Sequence, residues 1–154
     1  MAYHSYENLE VWTCAVDLSV KVYSVLNECR DYSFKDQICR ASVSIASNIA
    51  EGMERDSVKE TIHFLHIAKS SCAEVRTQLL IGSRIGYIDD DTYAELKSSC
   101  ESISRMLHGL AKSLKSNTIR SLYCPSARGL SSSRIEQTVS TTSKLVRSLR
   151  PPTL

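Results

Sequence analysis

The sequence has little of what marks a secreted, membrane-spanning or metal-binding protein. None of its six cysteines is spaced from another as Cys-x-x-Cys or as a zinc-finger pair, so we interpret them as free, buried thiols in a reducing compartment. No apolar run approaches the ~18 residues of a membrane span. Residues 1–7 lack a basic segment followed by an apolar one. We therefore expect no signal peptide and a cytoplasmic location.

Proline and glycine are also scarce. The chain has three prolines and five glycines among 154 residues, and every proline comes after residue 124. Nothing in the earlier part shows the strict apolar–polar alternation of a strand. With 42% hydrophobic residues, the chain has enough apolar side chains for a core, and its length suggests one folded domain.

The charge changes sign near residue 115. Residues 1–115 carry 13 Lys and Arg against 16 Asp and Glu, a net charge of −3. Residues 116–154 carry six basic residues against one acidic residue, a net charge of +5, together with nine serines and five threonines. We therefore predict a folded domain over 5–115 and a basic, Ser/Thr-rich tail over 116–154, disordered or ordered only with a partner.

Apolar residues recur at helical spacing in four segments of the predicted domain. The predicted helices cover residues 6–29, 34–54, 58–85 and 90–115. Ser33 with Asp36, and Ser57 with Glu60, have the spacing of capping boxes for the second and third helices. Because the connections are short, the fold class predicted is all-α, an antiparallel up-down-up-down four-helix bundle.

The first predicted helix has two apolar stripes on opposite sides of a helical wheel. One stripe consists of Leu9, Trp12, Val16, Tyr23 and Leu26, and the other of Val11, Leu18, Val22 and Val25. A helix in a lone bundle needs one stripe. Two stripes indicate burial on two sides, by helices of the same chain or by another subunit. The alternative is that the second stripe is the edge of one wide core face.

The second predicted helix contains the most distinctive stretch of the chain, RASVSIASNIAEG over residues 40–52. Its apolar positions share one face with Ile38: Ala41, Ile45, Ile49 and Gly52. Its polar positions share another: Arg40, Ser44, Ser47 and Glu51. We expect Asn48 to bridge groups on different helices, because an unpaired buried amide costs about 1–3 kcal/mol.

Arg40 and Glu51 have two interpretations. We favour structural ion pairs, from Arg40 to a carboxylate such as Glu74 on the third helix, and from Glu51 to a donor near the following turn. The alternative makes the two residues part of a pore or a partner surface.

Catalytic and metal-binding patterns are weak. His63 and His66 lie one turn apart, and Glu60 with His63 forms one Glu-x-x-His pair, but the first helix offers no second pair for a di-metal bundle. No Ser-His-Asp or Cys-His arrangement has motif context, and no glycine loop resembles a phosphate cradle. We expect no enzymatic activity, no metal and no cofactor.

Residues 40–52 resemble the R-A-x-x-S-I-x-x-N-I-A-E-G signature of the bacterial four-helix-bundle proteins encoded in 23S rRNA intervening sequences, the S23 proteins. The runs YENLEVW at 6–12 and FLHIAKSSCAE at 64–74 support the resemblance, which covers about residues 5–115. Two positions differ from the family pattern. Cys39 stands where a second arginine is usual, and Ser70 where a glycine is frequent.

The resemblance implies an antiparallel bundle that assembles into a homopentameric ring and associates with RNA or ribonucleoprotein, rRNA above all. It also implies an alternative, a protein-binding scaffold such as the reverse-transcriptase accessory factor of a diversity-generating retroelement. A third interpretation is a structural oligomer tied to a mobile insertion. None of the three involves a membrane.

Two sets of site residues follow from the signature, the family analogy and the basic tail. The structural motif comprises Arg40, Ser44, Asn48, Glu51, Gly52 and Glu74. The candidate nucleic-acid contacts are Arg40, Arg55, Lys59, Arg76, Arg84, Arg120, Arg128 and Arg134.

Overall fold

The structure, a computed structural model, describes residues 6–123, with side chains through residue 117. A short 3₁₀ turn, Tyr6–Asn8, precedes four α-helices. These are α1 (Glu10–Val25), α2 (Tyr32–Met53), α3 (Val58–Arg84) and α4 (Asp90–Tyr123). No strand occurs between residues 6 and 123. The predicted all-α fold class with four helices is confirmed.

The first helix is shorter than predicted at both ends. Leu9 has an extended backbone, with φ −82° and ψ 121°, and it separates the 3₁₀ turn from α1. At the other end the backbone N–H of Asn27 turns back to the carbonyl of Ser24, which closes the helix before the predicted end at residue 29. Local backbone geometry at these two points, rather than the apolar pattern, fixes the bounds of α1.

The predicted capping boxes are not formed. The carboxylate of Asp31 accepts a hydrogen bond of 3.0 Å from the backbone N–H of Phe34, so Asp31 caps α2 and Ser33 lies inside its first turn. Ser57 is the residue before α3, as predicted, but its side chain makes no capping hydrogen bond. Its carbonyl instead accepts the hydroxyl of Thr61 at 3.2 Å.

The last helix is longer than predicted. It continues to Tyr123, so residues 116–123 of the predicted tail are helical. The compact unit that contains the bundle ends at Arg120. The remainder of the predicted tail, 124–154, lies outside the described residues, and its disorder stays a prediction.

Residues from all four helices form one apolar core. Its largest fully buried side chains are Leu18, Val22, Leu26, Ile38, Ile45, Ile49, Leu65, Val75, Leu79, Leu96, Ile103 and Leu107. The start of α2 contacts the end of α3, and the end of α2 contacts the start of α3. Phe34 packs by Gly82, Ser44 meets Ser71, and Gly52 packs by Phe64. These two helices are therefore antiparallel.

The core contacts both stripes of α1. Val11, Leu18 and Val22 of one stripe are buried, whereas Val25 is 38% exposed. In the other stripe Leu26 is buried, Leu9 and Trp12 pack against the core, Val16 is half-buried and Tyr23 is 50% exposed. This pattern favours the alternative of one wide core face, with Tyr23 and Val25 left at its exposed end.

The five described cysteines are free. Cys39, Cys72 and Cys100 are buried, as predicted, whereas Cys14 and Cys29 are half-buried. Burial raises the pKa of the Cys72 thiol to about 11 and that of Cys100 to about 12. Because the thiolate is the reactive form, these two positions act as small apolar core residues.

Asp89 stabilises the start of α4 in a pH-dependent way. Its carboxylate accepts the backbone N–H of Thr92 at 2.9 Å and the Thr92 hydroxyl at 2.7 Å, and these hydrogen bonds lower its pKa below the usual 3.8. Because the pKa of Asp89 is lower in the folded state, its carboxylate stabilises the fold at pH values above the pKa of the unfolded state. This stabilisation is lost as the pH falls through the pKa of the folded state. We predict that wild-type melting temperature falls more steeply than that of Asp89→Asn below about pH 4.

Thermal melts of the two proteins from pH 6 to pH 2.5 measure this difference. Asp56→Asn, which alters an exposed acid outside any helix, is the matched control and should follow the wild-type curve. Parallel curves for wild type and Asp89→Asn would contradict the prediction.

No helix within the described residues is long and apolar enough to cross a membrane.

Candidate functional site: the α2–α3 groove

The signature segment contacts α3 at Ser44 and at Gly52. Its apolar positions Ala41, Ile45, Ile49 and Gly52 are all buried together with Ile38, as predicted. Gly52 allows the closest approach between the helices. A Cβ added there would lie 2.8 Å from Cβ of Phe64 and 3.3 Å from the carbonyl oxygen of Thr61. The small residues of the signature therefore set the spacing of this helix pair.

Two polar positions of the signature, Arg40 and Ser44, line a surface groove of about 520 Å³ between the two helices. The residues that line it are Asp36, Gln37, Arg40, Ala41, Ser44 and Glu74. We call this depression the α2–α3 groove. It brings together three of the six predicted motif residues, Arg40, Ser44 and Glu74.

Ser44 makes the hydrogen bond between the helices. Its hydroxyl lies 3.0 Å from the hydroxyl of Ser71 on α3. The amide of Asn48 donates to the carbonyl of Ser44 at 2.7 Å and to its hydroxyl at 2.9 Å. Asn48 therefore bonds its own helix and supports the bridge through Ser44, which corrects the prediction of a direct bridge by Asn48. Sequence reasoning missed Ser71, whose only signal was its helical register with buried Ala68 and Val75.

Arg40 does not pair with Glu74, which corrects the favoured ion pair. Its guanidinium lies 3.8 Å from the carboxylate of Asp36, one turn earlier on the same helix, and its side chain is 79% exposed. Glu74 accepts a hydrogen bond of 3.4 Å from the amide of Gln78. The groove thus holds one cation and two carboxylates. This net charge of −1 works against the binding of a phosphate there.

Glu51 pairs with Arg55, at the turn between α2 and α3. This confirms the expected donor near the turn. The guanidinium of Arg55 also lies over the ring of Phe64, 4.9 Å from its centroid. Because Phe64 is the residue that packs on Gly52, the pair and the ring together fix the turn beside the closest helix contact.

The structure spreads the candidate nucleic-acid contacts over the bundle. Lys59 lies in the first turn of α3 and Arg84 at its last residue, roughly 37 Å apart at 1.5 Å per residue. Arg76 pairs across to Glu101 on α4 at 3.3 Å. With Arg40 and Arg55 also paired, Lys59 and Arg84 are left without an ion pair inside the described bundle.

The remaining candidates belong to the C-terminal part. Arg120 lies in α4, whereas Arg128 and Arg134 lie outside the described residues. His63 and His66 are both exposed on α3, and residues 6–123 contain no group of three His, Cys, Asp or Glu that is arranged for a metal ion.

The comparisons with known proteins agree with this fold. A crystal structure at 1.70 Å of a protein of unknown function, from the S23 ribosomal protein family of Bacteroides thetaiotaomicron VPI-5482, is similar to this chain with a TM-score of 0.63 and 26% sequence identity. The similarity covers 66% of this chain and 98% of that one. A search of curated proteins gave no match.

The family model of the 23S rRNA-intervening sequence protein matches residues 7–109. That range includes the whole signature on α2, all of α3 and the core residues of α4 from Leu96 to Leu107. The chain therefore belongs to the 23S rRNA-intervening sequence protein family.

Proposed function

We propose that this protein is a non-enzymatic, oligomeric helical-bundle protein that associates with RNA or ribonucleoprotein in the cytoplasm. The observation that carries the proposal is the family match over residues 7–109, with the signature residues built into the α2–α3 contact. The family is defined by 23S rRNA intervening sequences, so rRNA is the nucleic acid to test first.

The charges favour the C-terminal part as the RNA contact. The α2–α3 groove has a net charge of −1, and residues 1–115 together have −3. Residues 116–154 have +5, including Arg120, Arg128 and Arg134. Since binding to phosphates scales with the number of cations that reach them, an oligomer that carries several such segments binds RNA more strongly than one chain.

A salt series on the full chain tests this proposal. Two variants are compared, a tail variant with Arg128, Arg134, Lys144, Arg147 and Arg150 changed to Gln, and a bundle variant with Arg40, Lys59 and Arg84 changed to Gln. Nuclease-treated protein is titrated with a 23S rRNA fragment. We expect the tail variant to lower both the affinity and the salt slope, by about one unit of slope for each phosphate that the variant no longer neutralises.

The bundle variant should retain most of the wild-type slope. A larger loss of affinity and salt slope in the bundle variant than in the tail variant would place the RNA contact on the helices. If the wild-type protein does not bind the rRNA fragment at low salt, the RNA proposal is overturned.

Self-association is the second part of the proposal, with a pentamer as the assembly that the family resemblance implies. Val20 and Tyr23 on α1 support it, because these large apolar side chains are 63% and 50% exposed and a subunit contact would cover them. Sedimentation velocity should give the mass of five chains of 17.2 kDa each. A monomer at every concentration would overturn this part of the proposal and leave the RNA part open.

A protein-binding scaffold, such as a reverse-transcriptase accessory factor, is the second candidate function. The net charge of −3 over residues 1–115 favours it, since a slightly acidic bundle is a poor general surface for nucleic acid. This candidate predicts that the bundle binds a protein partner equally well when the tail cations are neutralised.

A further inference from the structure

Gln78 on α3 carries a buried oxygen that no group in the described part of the chain satisfies. The residue is 8% exposed, and its Oε1 accepts no hydrogen bond from residues 6–117. Its Nε2 donates to the carboxylate of Glu74, one turn earlier on the same helix, at 3.4 Å. A buried carbonyl oxygen without a donor costs free energy, so this atom indicates a donor that comes from outside the bundle.

The unsatisfied oxygen lies at the wall of the α2–α3 groove that α3 forms. Glu74, which accepts the hydrogen bond from the Gln78 amide, lines this groove. On the other side, the antiparallel contacts between α2 and α3 place Gln78 opposite Gln37 and Ile38. Gln37 also lines the groove. The oxygen and the groove are therefore parts of one site.

The two carboxylates of the groove are only weakly engaged. Asp36 lies 3.8 Å from the guanidinium of Arg40, beyond hydrogen-bond distance, and the Arg40 side chain is 79% exposed. Glu74 takes part in no ion pair among residues 6–117, and its hydrogen bond from Gln78 is long for an N–H···O bond. The groove thus offers free acceptors and a net charge of −1 to a positively charged donor.

We infer that the α2–α3 groove binds the guanidinium of an arginine side chain on a protein partner, with Glu74 and the Oε1 of Gln78 as its acceptors. A guanidinium carries five N–H donors in a planar fork, so it pairs with a carboxylate and reaches a neighbouring carbonyl at the same time. Glu74 is exposed and can change rotamer to admit it. This inference rests on the second candidate function, the protein-binding scaffold, and names the chemistry of its partner.

Ligand-observed NMR on the full chain tests the inference. The probe is an acetylated and amidated Gly-Arg-Gly peptide, and saturation-transfer difference spectra measure its dissociation constant. We expect the arginine Cδ protons, which adjoin the guanidinium, to receive the most saturation. A peptide with citrulline, which has the shape of arginine without its charge, should not bind. A peptide with lysine should bind about threefold more weakly, since a compact ammonium does not span both acceptors.

Three single variants at exposed positions assign the binding to the groove, and circular dichroism verifies that each one folds. Glu74→Gln removes the acceptor charge and should weaken binding of the arginine peptide by about tenfold. Arg40→Gln removes the cation that competes for the groove and should strengthen binding by about twofold. Glu60→Gln is the matched control, because it neutralises an exposed acid in the first turn of α3, outside the groove, and should leave binding unchanged.

Gln78→Met tests the unsatisfied oxygen itself. Methionine keeps the length of glutamine without a polar atom, so the loss of an unpaired buried carbonyl should raise the melting temperature by a few degrees. The same variant should weaken binding of the arginine peptide by about fivefold, because one acceptor is gone. The peptide should therefore raise the melting temperature of the wild-type protein more than that of Gln78→Met.

The inference is overturned if the wild-type protein does not bind the arginine peptide, if the lysine peptide binds as tightly, or if Glu74→Gln and Glu60→Gln weaken binding equally. A lower melting temperature for Gln78→Met also overturns it, because the oxygen would then already have a donor in the chain or in water.

These outcomes leave the scaffold function to its own test, the binding of a protein partner when the tail cations are neutralised, and they leave the RNA salt series unaffected. If the arginine peptide binds as expected but the bundle binds no protein, the scaffold function and the partner inferred here fall together.

Discussion

Gly52→Ala is expected to lower the free energy of unfolding by about 1–3 kcal/mol, the usual cost of overpacking a tight contact. The added methyl group would lie 2.8 Å from Cβ of Phe64 and 3.3 Å from the carbonyl of Thr61. Both atoms lie on or next to the α3 backbone, so no side-chain rotation relieves the clash. The helices must move apart, and this outweighs the gain in helix propensity that alanine brings.

Gly109→Ala is the matched control for this prediction. Gly109 is exposed on α4 and has nothing within 4 Å of an added Cβ, so the same substitution should raise stability by about 0.5–1 kcal/mol. Urea unfolding followed by circular dichroism measures both variants. Equal changes in the free energy of unfolding for Gly52→Ala and Gly109→Ala would show that α2 and α3 do not approach each other this closely at Gly52.

Ile45→Ala is expected to have the largest effect of a single substitution, a loss of about 2–5 kcal/mol. Ile45 is 0% exposed and lies in the middle of the core face of α2. Removing its side chain reduces apolar burial and leaves a cavity, because the surrounding helices collapse only in part.

A graded series makes the second prediction specific. Ile45→Val should cost about 0.5–1.5 kcal/mol, and Val58→Ala, at a position 38% exposed, should change stability by less than about 0.5 kcal/mol. Calorimetric melting of the three variants gives the order. A cost for Val58→Ala as large as that for Ile45→Ala would contradict the assignment of the core.

The residues around the α2–α3 groove hold two helices together. Its serine bridge and the Gly52 contact are structural, and its one exposed cation is balanced by two carboxylates. The family signature therefore explains how two helices pack. The exposed apolar side chains of α1 and of the C-terminal end of α3, such as Val20 and Ile81, lie outside this groove.

The amino-acid pattern by itself determined the number of helices and the buried face of α2. Ile38, Ile45 and Ile49 recur at helical spacing, and that spacing is local information that the chain carries in any context. The family resemblance was also readable from residues 40–52, since the motif is contiguous. Helix ends were less predictable, because the extended backbone of Leu9 and the capping carboxylate of Asp31 set them against the apolar pattern.

Only the tertiary structure decided what each outward side chain meets. The sequence placed Arg40 on a polar face and favoured a carboxylate such as Glu74 as its partner, whereas the structure pairs it with Asp36, because the partner depends on the distance to α3. It predicted two apolar stripes on α1 without showing how much of each the core covers. A helical wheel fixes the angle of a residue about its own axis, whereas burial depends on where the neighbouring helices lie, and that is set by packing between distant parts of the chain.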